Sequence, residues 1–447
     1  MSMVEKIKTV ILCGGIGNRL FPLTTDKSLL SFNGRPLIYH QVKCAISAGL
    51  DEFIIVVNKA NRIMMQRALS GMHNASIKYI LQKEAGGMAH ALMTARKEIT
   101  QAPFLLLSAN DIVDKSAYVA ILEKSTQFSS AAAILTAKRL TSYFPGGYLV
   151  ISRGGRIKHI VEKPGRGNEP SNLINIVMHL HLQPRQLFKY LGSTAKSADD
   201  DYEKALDKMI GEGHRFQAVI YPGIWQTIKY PWHILEAMDY YAAGIRRKIS
   251  ARTYISPLAV IDGEVIMEEG VRVLEGAVIR GPTYIGKNTI IGNNVLIRNS
   301  TIGKGNVIGY KTEIKHSYIN NNCWFHSNYI GDSVIGDNCS FGAGAITANF
   351  RFDENIISSN VQGKPVITGH DKLGTFIGEN TRIGVNASIM PGIKIGTNCS
   401  IGPQVCLNRD IEPDSTIIQD TQYILRHNAG PKIKRSQINR LIKELHE

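Results

Sequence analysis

The chain has 447 residues, 44% apolar and 20% charged, the balance of a folded globular protein of two or three domains. The sequence contains no run of eighteen apolar residues, which argues against a membrane span. Its six scattered cysteines include no CxxC pair, which argues against a zinc site or a disulfide framework. The net charge of +15 suits phosphorylated small molecules, or a basic surface without a specific partner, and no RNA-binding pattern accompanies it. We therefore expect a cytoplasmic protein that binds neither nucleic acid nor a membrane.

The first half alternates short apolar runs with amphipathic stretches. Strands are predicted at 9–12, 52–57, 77–81, 104–108 and 131–136, and helices at 37–48, 60–70, 88–97 and 115–128. This alternation indicates an α/β fold, a Rossmann-like, doubly wound and mainly parallel sheet with ligands beyond the carboxyl ends of its strands. The stretch 232–249 is predicted to be one amphipathic helix that connects this half to the next.

Glycines follow the first predicted strand directly, and two cations come after them. The residues concerned are Gly14, Gly15, Gly17, Arg19 and Lys27. Glycine lets a phosphate approach the backbone N–H groups, while guanidinium and ammonium groups bind phosphate oxygens. Neither the P-loop pattern nor the dinucleotide-binding fingerprint is present. The pattern indicates a triphosphate site, with a tight turn and two solvated cations as the alternative.

The segment from Leu12 to Ile38 resembles the opening motif of the sugar-1-phosphate nucleotidyltransferases, GGxGTRLxPLTxxxPKPLLPVxGxPLI. It departs from that motif at Asn18, where threonine is usual. The resemblance implies nucleotide binding by Leu12, Gly14 and Gly15. It also implies that Arg19 and Lys27 stabilise the phosphates during catalysis.

Further segments resemble the same family. The segment ILQKEAGGMAHAL at 80–92 resembles its base-reading segment, which implies that Gln82 and Gly87 contact the base. The strand FLLLSAND ends in Asp111, which the resemblance makes a Mg²⁺ ligand; a helix cap is the alternative role. The residues implied to contact the sugar are Gly147, Glu162 and Asn175.

The segment 223–237 departs from the family pattern W-x-D-(I/V)-x-x-P-W-D-L-L-x-A. Thr227 stands where the second metal carboxylate is usual, and His233 replaces the second aspartate. A hydroxyl is a neutral and poorer ligand for Mg²⁺. Either one carboxylate and the phosphates suffice or the transferase site is weakened, and we expect the former. Lys229 brings a cation close to the same position.

The second half is a repeat of six residues. Isoleucine recurs at 285, 291 and 297 and again at 302, 308 and 314. Isoleucine or leucine then recurs at every sixth position from 377 to 407. One apolar residue in every six indicates a parallel β-helix, whose coils are stabilised by stacking. The pattern resembles the left-handed parallel β-helix of hexapeptide acyltransferases. Members of that family are typically trimers that bind acyl-CoA between neighbouring helices.

Three segments of this half resemble the acetyltransferase part of archaeal-type bifunctional N-acetylglucosamine-1-phosphate uridylyltransferases. They are EIKHS at 313–317, HSNYIGDSVIG at 326–336 and GAGAITANFRFD at 342–353. The resemblance implies that His326 is the general base, a role suited to imidazole, with a solvated loop histidine as the alternative. The implied substrate contacts are Lys315, Tyr329, Asn349 and, in a different register, Lys372.

These observations predict a nucleotidyltransferase domain at 1–230, a connecting helix at 231–252, an acetyltransferase-like β-helix at 253–418 and a tail with a short helix at 419–447. The resemblance implies Mg²⁺, UTP or dTTP, a hexose- or hexosamine-1-phosphate and acetyl-CoA as ligands, UDP-N-acetylglucosamine as the product, and a homotrimer. Two alternatives stay open. One is a monofunctional glucose- or mannose-1-phosphate nucleotidyltransferase with a structural β-helix. The other is a non-catalytic regulatory or scaffold subunit, which Thr227 favours.

Overall fold

The computed structural model describes residues 6–15, 17–84, 86–194, 200–420, 422 and 435–445. Its first half is a sheet flanked by helices. The strands are β1 (Lys8–Cys13), β2 (Ser31–Phe32), β3 (Arg35–Pro36), β4 (Glu52–Val57), β5 (Ser76–Leu81), β6 (Phe104–Ser108), β7 (Asp111–Val113), β8 (Ala133–Arg139), β9 (Gly147–Ile151), β10 (Ile157–Glu162), β11 (Leu173–His181), β12 (Phe216–Ile220) and β13 (Trp225–Thr227). The helices are α1 (Leu37–Ser47), α2 (Arg62–Leu69), α3 (Gly87–Ile99), α4 (Lys115–Gln127), α5 (Pro184–Thr194), α6 (Asp201–Gly211) and α7 (His233–Ala242).

The main sheet has a parallel part and a part that is mostly antiparallel, in which only β8 and β12 pair parallel. Strands β5, β4, β1 and β6 are parallel neighbours, as the alternation of strand and helix predicts. Beyond β6 the order continues with β11, β9 and β10, which pair antiparallel. The sheet is therefore mixed. The loop that joins β9 to β10 is too short to contain a crossover helix, so these two strands pair antiparallel. The carboxyl ends of β1 and β6 lie side by side and carry the glycine loop and Asp111.

The predicted connecting helix is shorter than expected. Helix α7 ends at Ala242, and Lys248–Ile249 is already a strand of the β-helix. Gly244 lies two residues beyond the end of α7, and glycine is common just after a helix C-terminus. The helix prediction for 243–249 is therefore wrong.

The second half is a left-handed parallel β-helix with three sheet faces. The first face comprises Lys248–Ile249, Val265–Met267, Thr283–Ile285, Thr301–Ile302, Tyr318–Ile319, Val334–Ile335, Phe376–Ile377 and Lys394–Ile395. The second comprises Tyr254–Ile255, Arg272–Val273, Ile290–Ile291, Val307–Ile308, Trp324–Phe325, Ser340–Phe341, Arg382–Ile383, Ser400–Ile401 and Thr416–Ile417. The third comprises Val260–Asp262, Val278–Arg280, Leu296–Arg298, Glu313–Lys315, Tyr329–Gly331, Ile346–Thr347, Ser388–Ile389 and Cys406–Leu407.

The period-six isoleucines fill the interior of this β-helix, as predicted. Ile285, Ile291 and Ile297 belong to the three faces in turn, and all three are completely buried. Each stacks on the residue 17 positions later, so that Ile285 pairs with Ile302. Residues in the left-handed backbone conformation, such as Asn288 and Asn294, form corners between the faces.

One segment leaves the β-helix and returns to it. Val334 pairs with Phe376 on the first face, although the two are far apart in sequence. Within the intervening segment, Ser358–Val361 and Lys364–Ile367 form an antiparallel pair, which we call the inserted hairpin. No pattern in the sequence predicts it.

The two halves share an apolar cluster. Leu20, Ile228 and Trp232 from the first half pack in it with Tyr318 and Phe376 from the first face of the β-helix. The rings of Trp232 and Phe376 lie 6.1 Å apart, and the Ser31 N–H donates to the Tyr318 hydroxyl at 3.0 Å. The β-helix therefore packs directly against the first half of the chain.

The C-terminal tail is described only in part. A helix spans Arg435–Glu444, in agreement with the short helix predicted within 419–447, and the remainder of the predicted tail falls largely outside the described residues. Among the helices of the described residues, none combines the length and apolar character needed to cross a bilayer.

Candidate active sites

The glycine loop and its neighbours form a cavity of about 620 Å³ at the carboxyl edge of the sheet. All the residues predicted to hold the nucleotide line it, namely Leu12, Gly14, Gly15, Arg19, Lys27, Gln82 and Gly87. A Cβ on Gly14 would lie 2.1 Å from the Gln82 side-chain oxygen, so a larger residue there would displace that side chain. Gly17 has φ 73°, a conformation that favours glycine. The loop therefore presents backbone rather than side chains to the cavity.

Gln82 is buried directly after β5, in the loop that leads to α3, where the base is expected. Its Nε2 atom is 2.9 Å from Nδ1 of His90, one turn into that helix. This contact, together with the Gln82 oxygen that lies beside Gly14, fixes the orientation of the amide. Sequence reasoning missed His90, although its position on the same amphipathic helix offered a signal.

A second cavity of about 220 Å³ adjoins the first. Arg19 and Lys27 line both cavities, and Gly147, Glu162 and Asn175 line the second. A Cβ on Gly147 would lie 2.7 Å from a carboxylate oxygen of Glu162 and 3.6 Å from Cβ of Asn175. The three residues predicted to contact the sugar are thus brought together by the neighbouring strands β9, β10 and β11.

A buried network behind the second cavity holds Asn175. Its Oδ1 atom is 2.9 Å from Nε2 of His179, whose other ring nitrogen is 2.7 Å from the Tyr202 hydroxyl. The same hydroxyl is 2.8 Å from His181. Burial, followed by the neighbouring His181, lowers the pKa of His179 well below its ordinary value, so its ring is neutral. This network was not predicted, because its members are joined only by the fold.

Asp111 is the first residue of β7 and lines the second cavity. It stands opposite Thr227 in the β7–β13 pair, and Nε2 of Gln41 donates to its backbone oxygen at 2.7 Å. Burial raises the pKa of Asp111 to about 6, while the Thr227 hydroxyl acts in the opposite sense. The carboxylate is therefore mostly ionised at neutral pH. The residue at the second metal position is thus a hydrogen-bond partner of the first carboxylate.

Three cations surround the junction of the cavities. Burial, and then the Arg19 charge, lowers the pKa of Lys27 to about 8, and the same causes lower that of Lys229 to about 8. Lys229 Nζ donates to Pro145 O at 2.5 Å and lies 4.7 Å from the centre of the Phe144 ring. Such a site binds multiply charged anions.

The donor set at this junction is compatible with Mg²⁺ when phosphates are present. Within the described residues, no group of three His, Cys, Asp or Glu side chains could hold a metal. Mg²⁺ is commonly bound through one or two carboxylates together with substrate phosphates. Asp111, with Thr227 beside it, provides the single carboxylate for that arrangement.

On the third face of the β-helix, the predicted acetyltransferase residues gather around Gly331. A Cβ there would lie 2.7 Å from the Tyr329 hydroxyl and 2.8 Å from Nδ2 of Asn349. Asn349 donates to Asp332 Oδ2 at 2.5 Å, and Lys315 Nζ is 3.5 Å from that oxygen. Sequence reasoning missed Asp332, which is 5% exposed and joins the members of this cluster.

A histidine next to Lys315 connects this cluster to the first half. Nδ1 of His316 is 2.8 Å from Asp332, and its Nε2 is 3.0 Å from Asp239 on α7. Burial opposes a charge on this ring, but hydrogen bonds to Asp239 and Asp332 raise the pKa of His316 to about 9. The ring is therefore protonated at neutral pH and bridges two carboxylates.

His326 and Lys372 lie at the edge of the cluster. His326 is exposed at the corner after the second face, and its ring stacks on Trp324 with centres 5.9 Å apart. Among the described residues, no hydrogen bond joins the His326 ring to Asn349 or Lys315. The ammonium group of Lys372 lies 5.8 Å from the centre of the Phe350 ring. The next residue, Leu373, donates its backbone N–H to Asn349 O. The structure thus gathers three of the five predicted residues and leaves these two beside them.

Family models match both halves of the chain. The Nucleotidyl transferase model matches residues 8–243, which include every predicted residue of the first site. The chain belongs to the nucleotidyl transferase family. The model for the bacterial transferase hexapeptide (six repeats) matches residues 374–409 of this nucleotidyl transferase.

Relatives match this nucleotidyl transferase over nearly its whole length. It is 35% identical over 422 residues to the bifunctional protein GlmU of Methanococcus maripaludis strain C7, covering 93% of this chain and 98% of that one. It is 32% identical over 423 residues to GlmU of Methanocaldococcus jannaschii, with the same shares. It is 30% identical over 416 residues to a bifunctional sugar-1-phosphate nucleotidylyltransferase/acetyltransferase of Sulfurisphaera tokodaii, covering 91% and 98%. The predicted resemblance to archaeal-type bifunctional enzymes, and with it the enzyme class, is confirmed.

Proposed function

We propose that the protein is a bifunctional enzyme that makes UDP-N-acetylglucosamine. In this proposal, residues 1–230 transfer a uridylyl group from UTP to N-acetylglucosamine-1-phosphate, and residues 253–418 acetylate glucosamine-1-phosphate with acetyl-CoA. The observation that carries it is the pair of adjoining cavities, which share Arg19 and Lys27. Such a pair accommodates a nucleotide and a sugar phosphate end to end.

In the first reaction, a phosphate oxygen of the sugar attacks the α-phosphorus of the nucleotide, and pyrophosphate leaves. Arg19 and Lys27 stand where the two substrates meet, and they stabilise the negative charge that develops there. Asp111 would hold Mg²⁺, which supplies further neutralisation of the phosphates when bound. Glu162 and Asn175 orient the sugar, so that catalysis rests on positioning and electrostatics.

In the second reaction, the amino group of the sugar attacks the thioester carbonyl of acetyl-CoA. His326 accepts the proton from the nitrogen, and the CoA thiolate leaves. Lys315 binds the sugar phosphate, while Tyr329 and Asn349 position the sugar and stabilise the oxyanion. Lys372 adds a positive charge beside the cluster.

Large apolar side chains near His326 support assembly as a homotrimer. Tyr310, Trp324 and Ile346 are 52%, 51% and 42% exposed. A neighbouring copy on these faces would cover them and close the second site. Sedimentation velocity should show a particle three times the 49.3 kDa chain, and a monomer at micromolar concentration would contradict the assembly.

The test is pyrophosphate release from UTP or dTTP with Mg²⁺. N-acetylglucosamine-, glucosamine- and glucose-1-phosphate are each supplied with and without acetyl-CoA. Release from glucosamine-1-phosphate only in the presence of acetyl-CoA is the expected result. No release under any condition would contradict the proposal and favour a non-catalytic subunit.

A second candidate is a monofunctional nucleotidyltransferase whose β-helix serves only for assembly. It is favoured by the His326 ring, which, among the described residues, makes no hydrogen bond to Asn349 or Lys315. His326→Ala should abolish acetyl transfer and leave pyrophosphate release from N-acetylglucosamine-1-phosphate intact. Absence of acetyl transfer in the wild type would support the second candidate.

A further inference from the structure

The inserted hairpin reaches the nucleotide cavity of the other half. Gln362 forms its tip together with Gly363, with φ angles of 53° and 80°. Gln362 lines the cavity of about 620 Å³, and the other lining residues lie between Leu12 and Asn110. The β-helix thus contributes a polar side chain to a site that otherwise belongs to the sheet.

The hairpin is anchored at its base. The Ser359 hydroxyl donates to Gly392 O at 2.8 Å, and the ammonium group of Lys394 donates to the Asn360 backbone oxygen. Lys394 is only 2% exposed, and it lies 5.9 Å from the centre of the Trp232 ring. The β-helix and the interface between the halves therefore hold the hairpin, and its tip has a defined position above the cavity.

A second contact from the β-helix reaches the loop that carries the phosphate-binding cations. Oε1 of Glu379 accepts from Thr24 N at 3.1 Å and from the Thr25 hydroxyl at 3.4 Å. These threonines lie between Arg19 and Lys27, and Glu379 is 8% exposed. The β-helix thus contacts the nucleotide site at the hairpin tip and, through Glu379, at the loop on its border.

We propose that Gln362 binds the nucleoside triphosphate, so that the nucleotide site is completed by the β-helix. The proposal rests on the nucleotidyl transfer proposed above. An amide both donates and accepts hydrogen bonds, so it can pair with a base edge, a ribose hydroxyl or a phosphate oxygen. The side chain of Gln362 is exposed and free to do so. The sugar contacts lie in the adjoining cavity, which Gln362 does not line.

The test is steady-state kinetics of pyrophosphate release by full-length Gln362→Gly. Glycine suits the left-handed backbone at this position, so the change removes the amide without strain. Loss of one hydrogen bond should raise KM for the nucleotide about three- to tenfold. The KM for the sugar phosphate, the rate of acetyl transfer and the melting temperature should stay unchanged.

Gln404→Gly is the matched control, because Gln404 is also exposed, has φ 60° and lies in a corner of the β-helix. An unchanged nucleotide KM in Gln362→Gly, or an equal rise in both variants, would overturn the proposal. UTP binding should also be measured by calorimetry. A wild type that binds no UTP would contradict both proposals, whereas an active wild type with an unaffected Gln362→Gly would contradict only this one.

Discussion

Lys27 and Asp111 show what burial does to single residues in the first site. Burial moves both pKa values toward neutrality, to about 8 and about 6. In the proposed reaction, the ammonium form of Lys27 would bind phosphate, and the carboxylate form of Asp111 would bind Mg²⁺. The charged forms of Lys27 and Asp111 are both highly populated only between pH 6 and pH 8. Burial of the two side chains therefore confines the active form of the site to this range of pH.

Nucleotidyl transfer should therefore have a bell-shaped dependence on pH. We expect kcat/KM for the nucleotide to fall below pH 6, as Asp111 becomes protonated, and above pH 8, as Lys27 loses its proton. Lys27→Arg should keep its charge and move the alkaline limb upward. The pH profile of Lys229→Arg should be compared with that of Lys27→Arg, because the pKa of Lys229 is also lowered to about 8. An alkaline limb that stays in place in Lys27→Arg would show that another group controls it.

At the scale of elements, α7 and the β-helix are joined by the His316 bridge between Asp239 and Asp332. The side chain of His316 is 28% exposed. With a folded pKa near 9 and an ordinary value of 6.5, the bridge stabilises the folded state by about 3 kcal/mol. Because the folded pKa is raised, this contribution is complete below pH 6.5 and is lost as pH rises through 9.

His316→Gln should therefore melt at a lower temperature than the wild type, with a difference that depends on pH. The difference should be largest near pH 6 and small near pH 10, as measured by thermal denaturation. His73→Gln, in an exposed loop, is the control and should show no such trend. A constant difference for His316→Gln across this range would exclude the ionic bridge.

The contact of Glu379 with the loop at Thr24 and Thr25 should matter to the first reaction. Glu379→Ala removes the carboxylate that accepts from the Thr24 N–H, and the loss of a hydrogen bond to a charged group costs about 1.5–3 kcal/mol. We expect about a tenfold fall in kcat/KM for nucleotidyl transfer, with acetyl transfer retained. Glu412→Ala, at an exposed corner of the β-helix, should leave both rates unchanged. Equal effects of the two substitutions would argue against a role in positioning the loop.

What the sequence predicts well at this scale is local or periodic. Ile285 and its repeats could be placed in the core because a period of six needs no knowledge of distant partners. Asp111 could be placed at the sheet edge because an apolar strand precedes it. The bridge from His316 to Asp239 spans 77 residues, and Gln362 reaches a cavity formed by residues before 111. Such contacts depend on how two domains pack, which no local pattern encodes.

At the scale of the whole molecule, the two halves share an apolar cluster and should unfold together. Phe376 is completely buried in that cluster, against Trp232. Phe376→Ala should cost about 3–5 kcal/mol and separate a single calorimetric transition into two. Phe352→Ala is the matched control, because the Phe352 side chain is fully exposed. It should change the free energy of unfolding by less than about 0.5 kcal/mol. One unbroken transition in Phe376→Ala would mean that other contacts couple the halves.

The departure of the inserted segment from the β-helix bears on how such solenoids acquire new parts. Tyr318 pairs with Val334 after 16 residues, whereas Val334 pairs with Phe376 after 42. Because loop-closure entropy grows only with the logarithm of length, the longer excursion costs less than about 1 kcal/mol more. A corner between two coils is therefore a nearly neutral place for evolution to add chain. Insertions at such a corner can gain contacts with a neighbouring domain during evolution, while the stack of coils stays intact.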